Sequence, residues 1–299
     1  MSSLTLSAPD SVTLLGNFAL SVQNPCVVVA TTPRFTISLE TKSGKDIELP
    51  SACPPVFTKV SALAKEAFDL TKQTQIAVTT LPKAIPTEVF VPMLLKGLSL
   101  LSAMKLSKQR LFTMAIQLLA ELPEKNLSLE KTAAAIWGGV VHCLFKGQPG
   151  MLTAIPLPTT TLPLTAVKVS EKRNNSIFKT ISTLQKKHPK EMKALFAEQS
   201  RLVEQGVVQL GKGKWKQCGE TLSKEHKLMQ DMELSTDSLR RTCVEVVLGG
   251  AWGAKGVWSE QGEYMVVVGS PRKMLRLPAS TGEMLLLEKK GIVKEVSSV

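Results

Sequence analysis

The sequence predicts an α+β fold in two domains. Strand-sized apolar runs and helical periodicities alternate irregularly along 299 residues. A hydrophobic content of 43% over that length is enough for two cores. Four prolines, Pro149, Pro156, Pro158 and Pro163, crowd a stretch near the middle, which marks a junction. These observations predict one domain over residues 1–160 and a second over 161–299.

In chain order, Leu4–Leu6, Val12–Leu15, Cys26–Ala30 and Phe35–Glu40 read as short strands broken by Pro9, Gly16, Pro25 and Pro33. Thr41–Asp46 reads as a hairpin turn, followed by a helix over Lys59–Thr71 and a strand over Gln75–Thr80. Apolar spacing predicts helices over Val89–Ala103 and Lys108–Leu122, the second carried by Leu111, Met114, Ala115, Leu118 and Leu119. A strand follows Trp137-Gly138-Gly139, and the proline-rich run favours extended edge strands. Helices are then predicted over Ser176–Leu184, Pro189–Leu210, Trp215–Met232 and Ser235–Leu248. Glycine-punctuated strands close the chain, at Gly253–Trp258, Glu263–Gly269 and Lys273–Ala279, with a final hairpin.

Composition narrows the chemistry. No apolar run approaches the ~20 residues of a membrane span, so no membrane insertion is expected. The first 33 residues carry no Lys or Arg, so neither a basic secretory region nor an Arg-rich transit helix is visible. Five widely spaced cysteines without a C-x-x-C pair fit a reducing compartment, the mitochondrial matrix or the cytoplasm. Three histidines, none at i, i+4, leave little for a metal site or a Ser-His-Asp triad.

The net charge is +12, and twelve basic residues against four acids fall between Lys168 and Lys216. Such a face suits a phosphate-rich partner, RNA above all, or is a solvated helix surface. The candidate phosphate contacts are Lys172, Arg173, Lys179, Lys186, Lys187, Lys190 and Lys193, with Lys212, Lys214 and Lys216 around Trp215. Trp215 would stack a base between those lysines or pack into a core beneath them. The Gly and Lys spacing there is not a Walker loop.

Four stretches carry a family resemblance. Ala8, Pro9, Val12, Leu14 and Gly16 keep the register of an Ala-Pro-Gly-Lys strand leading to Gly-Glu-His, with Asp10, Ser11, Asn17 and Phe18 at the polar positions. Pro82 opens a segment that matches Pro-x-Gly-x-Gly-Leu-Gly-Ser-Ser, but Ala84, Pro86 and Glu88 stand for the glycines, and Val89 and Phe90 for the serines. Asn126, Ser128, Ala133, Trp137, Gly138 and Gly139 match Asn-Pro-Ser-Gly-Val-Asp-Asn-Ala-Val-Ser-Thr-Trp-Gly-Gly, with Lys131 at the aspartate. Gly253, Ala254 and Lys255 keep the start of a Gly-Ala-Lys-Leu-Thr-Gly-Ala-Gly-Gly-Gly-Gly loop, whose later positions become Val257, Trp258, Ser259, Glu260 and Gln261 before Gly262. Upstream, His226 and Leu228 lie in a segment like the helix-turn-helix before that loop.

This series resembles the galactokinase, homoserine kinase, mevalonate kinase and phosphomevalonate kinase (GHMP kinase) superfamily, and most of all mevalonate kinase. The resemblance implies an N-terminal domain like ribosomal protein S5 and a ferredoxin-like C-terminal α+β domain. It also implies that the phosphate loop, the base, the metal-binding Glu (here Ala120, beside Glu121) and the glycine loop have all been replaced. Phosphoryl transfer is mainly phosphate positioning and charge stabilisation, so joint loss of these parts is hard to reconcile with it. A lysine at 131 reverses the charge of the base, and it would serve as a base itself only if burial depressed its pKa.

The expectation is therefore a pseudokinase with no catalytic, cofactor or metal residues. It would act as a structural subunit or assembly factor of a large complex, a ribonucleoprotein such as an organellar ribosome, with other proteins and RNA as partners. The alternatives are a divergent small-molecule kinase and a metabolite sensor that keeps only the substrate pocket.

Overall fold

Leu4, Leu6 and Ala8 alternate with Thr5, Ser7 and Pro9, and this period of two makes Ser3–Leu15 a strand, β1. The computed structural model describes every residue except 1–2, 18–23, 44–46, 52, 69–73, 83–84, 123–126, 146–151, 159–161, 171–176, 260–261, 270–283, 287–288 and 296–299. β1 is one strand where the sequence suggests two. Its ladder to β2 (Cys26–Ser43) shifts register between Pro9 and Asp10, and this irregularity accommodates a residue without an N–H. The shift also changes faces: Leu4, Leu6 and Ala8 join one core, Val12 and Leu14 another. β2 likewise runs on through Pro33, where a break was expected.

β3 (Ile47–Glu48) pairs in parallel with β4 (Thr74–Thr80) and not with β2, so the described strands do not form the hairpin expected across Thr41–Asp46. The order β11-β1-β2-β4-β3 is extended by β5 (Val140–Phe145) on β2 and by β6 (Leu152–Leu157) on β5. β11 (Val293–Glu295) comes from the chain's far end and sits beside β1. Arg34 holds it there, donating to Ser7 Oγ at 2.6 Å and to the carbonyls of Lys290 and Gly291 at 3.0 and 2.8 Å.

One face of this sheet is covered by α1 (Pro55–Ala67), α2 (Thr87–Leu101), α3 (Lys108–Ala120) and α4 (Leu129–Trp137). α1 begins four residues before the expected Lys59 because Pro55 fits the first helical turn, where an N–H is not needed. α2 is apolar nearly all round and lies inside the domain; its Phe90 stacks on Phe57 of α1 at 4.1 Å. At the end of α4, Gly138 has φ +70°, and a Cβ there would come within 2.5 Å of the backbone of Lys290 and Gly291. The Trp-Gly-Gly therefore serves to turn the chain where the C-terminal segment crosses it.

The second sheet has the order β10-β7-β9-β8, from β7 (Leu164–Ser170), β8 (Gly253–Ser259), β9 (Gly262–Val268) and β10 (Met284–Leu286). Of the two strands from the proline-rich run, β6 pairs only with β5 as an edge, whereas β7 lies inside its sheet between β9 and β10. Pro156 sits within β6, and β7 carries no proline to bar it from two ladders. The strand expected over Lys273–Ala279 lies outside the described residues.

Helices α5 (Ile177–Lys187), α6 (Pro189–Gly211), α7 (Trp215–Asp231) and α8 (Asp237–Leu248) follow the sequence expectation closely. α6 and α7 supply Val203, Leu210, Cys218 and Leu222 to a core that also takes Val12, Leu14 and Val27 of the first sheet and Val266 and Val268 of the second. This shared core joins the two sheets. Among the described residues no helix is long and apolar enough to cross a membrane.

α7 and β8 meet backbone to backbone. A Cβ on Gly253 would lie 1.8 Å from the carbonyl oxygen of Gly219, a backbone atom that cannot swing aside as a side-chain end would. Gly253→Ala is expected to lower the unfolding free energy by about 3 kcal/mol, read as a lower urea midpoint with an unchanged slope.

Candidate functional site

Three of the stretches that depart from the family pattern lie on β1, α2 and α4, which pack against one another. Asp10 and Ser11 are buried in β1, and the Asp10 carboxylate accepts from the Ser11 N–H at 2.7 Å. Glu88, 2% exposed, stands in the first turn of α2, where the N-cap Pro86 offers no side-chain cap. Its carboxylate accepts from the Ser128 N–H at 2.6 Å, and Thr132 donates to its carbonyl at 3.0 Å. Val89 and Phe90 fill the next positions with fully buried apolar side chains. A negative charge in the first turn of α2 suits the dipole of that helix, while the carboxylate's hydrogen bond goes to the N-cap residue of α4.

Lys131 is buried on α4, a condition the sequence does not disclose. Beside it lies a residue that motif matching passes over. Glu130 is 9% exposed, accepts from Thr13 Oγ1 at 3.3 Å, and leaves its Oε2 without a hydrogen-bond partner. Burial pushes its carboxyl up to about 7, with nearby Glu88 adding and Lys131 opposing. The signal in the sequence is an acid next to Lys131 at the start of a helix, Leu129–Trp137, whose remaining residues are mostly apolar. Ala120 and Glu121, the two candidates for the metal-binding position, are both exposed at the end of α3. Asn126, Phe18 and Ala84 lie outside the described residues.

A second buried centre joins the two sheets. Lys255 of β8 and Glu225 of α7 are both fully buried and pair at 2.8 Å. Glu225 Oε1 also accepts from the N–H groups of Gly16 and Asn17, at 2.8 and 3.2 Å, and from Gln199 Nε2 of α6 at 2.9 Å. Lys255 donates a further bond to the Leu14 carbonyl at 3.0 Å. Burial lowers the Lys255 ammonium, and Glu225 opposes that shift. Next to Glu225, His226 accepts from the Gly256 N–H at 3.3 Å through Nδ1, and burial pushes its imidazole down to about 4. It is neutral at pH 7. The backbone donors at Gly16 and Asn17 are thus taken by the protein's own carboxylate.

Among the described residues the candidate lysines fall into two groups. Lys179, Lys186 and Lys187 on α5 and Lys190 and Lys193 at the start of α6 are exposed at one end. Lys212, Lys214 and Lys216 are exposed at the other end of α6, ~33 Å away at 1.5 Å per residue. Lys172 and Arg173 lie outside the described residues. Trp215 is half-buried against the core between the sheets, which agrees with its packing role.

No family model and no curated protein matches the sequence. Solved structures do match across almost the whole chain. Mevalonate kinase of L. major, in complex with R-mevalonate, is 15% identical, with a TM-score of 0.71 over 97% of each chain. Mevalonate kinase of Methanococcus jannaschii is 13% identical, with a TM-score of 0.73 over 96% of this chain and 98% of that one. Phosphomevalonate kinase of Streptococcus pneumoniae is 12% identical, with a TM-score of 0.75 over 99% and 100%. Galactokinase and homoserine kinase structures are similar as well.

The chain has the GHMP kinase fold. Glu88 and Lys131, which lie in stretches that resemble the second and third motifs, are buried with Glu130 beside them. Lys255, in the stretch that resembles the fourth, anchors the ion pair between the sheets.

Proposed function

We propose that this chain is a non-catalytic protein of mevalonate-kinase-like fold, a structural subunit or assembly factor of a large complex. The observation that carries the reading is Glu88. A buried carboxylate bonded to the Ser128 N–H stands at the helix N-terminus where a nucleotide phosphate would need donors and positive potential. It repels phosphate, and Pro86 withholds a further N–H. The engagement of Gly16 and Asn17 by Glu225 supports the same reading, since those donors are turned inward.

A ribonucleoprotein such as an organellar ribosome is the favoured complex, on the strength of the exposed lysines at both ends of α6 and a net charge of +12. Two separated groups suit an extended backbone better than a compact ligand. The test is affinity purification of the full chain from native extract, with and without nuclease. A defined set of ribosomal or assembly proteins is expected, with RNA retained at low salt and released as salt rises. Recovery of the chain alone would count against a structural role; partners that survive nuclease while RNA does not bind would assign the lysines to acidic protein surfaces.

One observation favours a second reading, a divergent small-molecule kinase. Glu130, with its carboxyl near 7, has the proton affinity of a general base and adjoins the position of the lost aspartate. That reading requires magnesium-dependent nucleotide binding.

A further inference from the structure

The exposed side of α6 carries a charge pattern that discriminates between forms of nucleic acid. At about 100° and 1.5 Å per residue, Lys190 and Lys212 lie ~40° apart around the helix axis and ~33 Å apart along it. Both lysine groups therefore open on one side of α6. Lys186 and Lys187, at the end of α5, adjoin Lys190 across His188 and Pro189, and all three lysines are exposed. At the other end, Lys214 and Lys216 follow Lys212 into α7, whose first turn carries no acid.

The ridge between the two groups is of another kind. Ala194, Ala197, Arg201, Glu204 and Val208 recur at helical spacing on the same side and are all exposed. Arg201 is occupied, because it donates to both oxygens of the Glu198 carboxylate at 2.7 and 2.6 Å. Glu204 is acidic, so this ridge has no surplus of positive charge. No lysine occurs between Lys193 and Lys212, and Phe196, the aromatic residue of that stretch, is buried.

Single strands are bound by a continuous cationic groove with aromatic side chains for the bases to stack on. This side of α6 offers neither. A duplex presents its charge differently: along one side, phosphates alternate with a groove, and a protein that spans a turn meets phosphates twice with the groove between. The ~33 Å between the lysine groups covers roughly ten base pairs at the ~3.4 Å phosphate spacing of a strand, about one helical turn. Ala194 and Ala197 leave the middle low enough for close approach, and an acid there faces a groove instead of a phosphate.

We infer that the exposed side of α6 docks on double-stranded RNA, its two lysine groups on phosphates about one turn apart. The inference rests on the ribonucleoprotein reading above and narrows the RNA to a duplex. Its contacts are to phosphates, so it selects shape and not base sequence.

The test measures fluorescence anisotropy of hairpin-capped RNA duplexes of about 6 and about 18 base pairs, shorter and longer than the span, with the full chain. On the longer duplex, Lys186→Gln with Lys187→Gln, and separately Lys212→Gln with Lys214→Gln, should each weaken binding about tenfold or more. Each pair should also lower the slope of log affinity against log salt by about 2. On the shorter duplex, which reaches one group at a time, either pair should lose much less, because the other group still binds. A single strand as long as the longer duplex should compete at least about tenfold less well than that duplex. Equal competition by the single strand, or a longer duplex on which one lysine group is dispensable, would overturn the inference and leave RNA binding standing. Failure to bind any of these RNAs at low salt would remove the ribonucleoprotein reading and the inference with it.

Discussion

Replacing Glu225 by alanine is expected to lower the unfolding free energy by about 3–5 kcal/mol, the range for breaking a buried ion pair from one side. The reason is geometric. One carboxylate holds Lys255, Gln199 and the N–H groups of Gly16 and Asn17, which come from β8, α6 and the end of β1. Its removal leaves a fully buried ammonium that still donates to the Leu14 carbonyl but has lost its counter-charge. The Lys255 ammonium should then be lowered further, since burial already pulls it down and Glu225 opposes that shift. Lys255→Met alone should also destabilise. The pair Glu225→Leu with Lys255→Met should recover part of the loss, because two apolar groups leave no unpaired charge. Urea denaturation of the three variants measures this, and additive losses would mean that the pair is not coupled.

Glu130 should make stability fall on the alkaline side. Its folded pKa is raised from 4.5 to about 7, chiefly by burial. The folded state therefore holds the proton more tightly than the unfolded chain. The stability this group contributes is complete below pH 4.5 and is lost as pH rises through about 7. At about 1.4 kcal/mol per pH unit, the penalty at pH 8 is ~3 kcal/mol. The groups around it are Thr13, Lys131 and Glu88. Glu130→Gln keeps the shape without the titration, so it should match the parent near pH 5 and be more stable at pH 8.

His226 acts in the opposite direction. Its folded pKa is lowered to about 4 from 6.5, so its contribution is present above pH 6.5 and is lost as pH falls through about 4. His226→Asn retains an acceptor for the Gly256 N–H and should flatten the acid limb only. Chemical denaturation from pH 4 to 9 separates the two limbs.

Much of the architecture is legible in local patterns. Helical spacing defines α3, α6, α7 and α8, and Trp137-Gly138-Gly139 marks a turn that only a close backbone crossing explains. The charged interior is harder to read because its partners are remote in sequence. Glu225 bonds residues 208 and 209 positions away. A local trace of it exists: Cys218, Leu222, Glu225 and Met229 form the buried stripe of α7, and an acid on such a stripe needs a partner. Gln199 holds the same kind of place on α6 among Met192, Phe196, Val203 and Leu210. Motif matching directs attention to Lys131 and passes over Glu130, one residue earlier, because it tests identity at set positions and not burial. The lysines show the converse limit, since a charge run along α5–α7 does not disclose that α6 divides it into two distant groups.

If, as proposed, the GHMP fold persists here without nucleotide chemistry, calorimetric titration of the full chain with magnesium-ATP, up to millimolar nucleotide, should stay silent. No saturable heat is expected, because Glu88 puts a carboxylate in the first turn of α2 and Glu225 holds the Gly16 and Asn17 amides. Saturable, magnesium-dependent binding that is abolished by Glu130→Gln or Lys131→Ala would contradict the proposal.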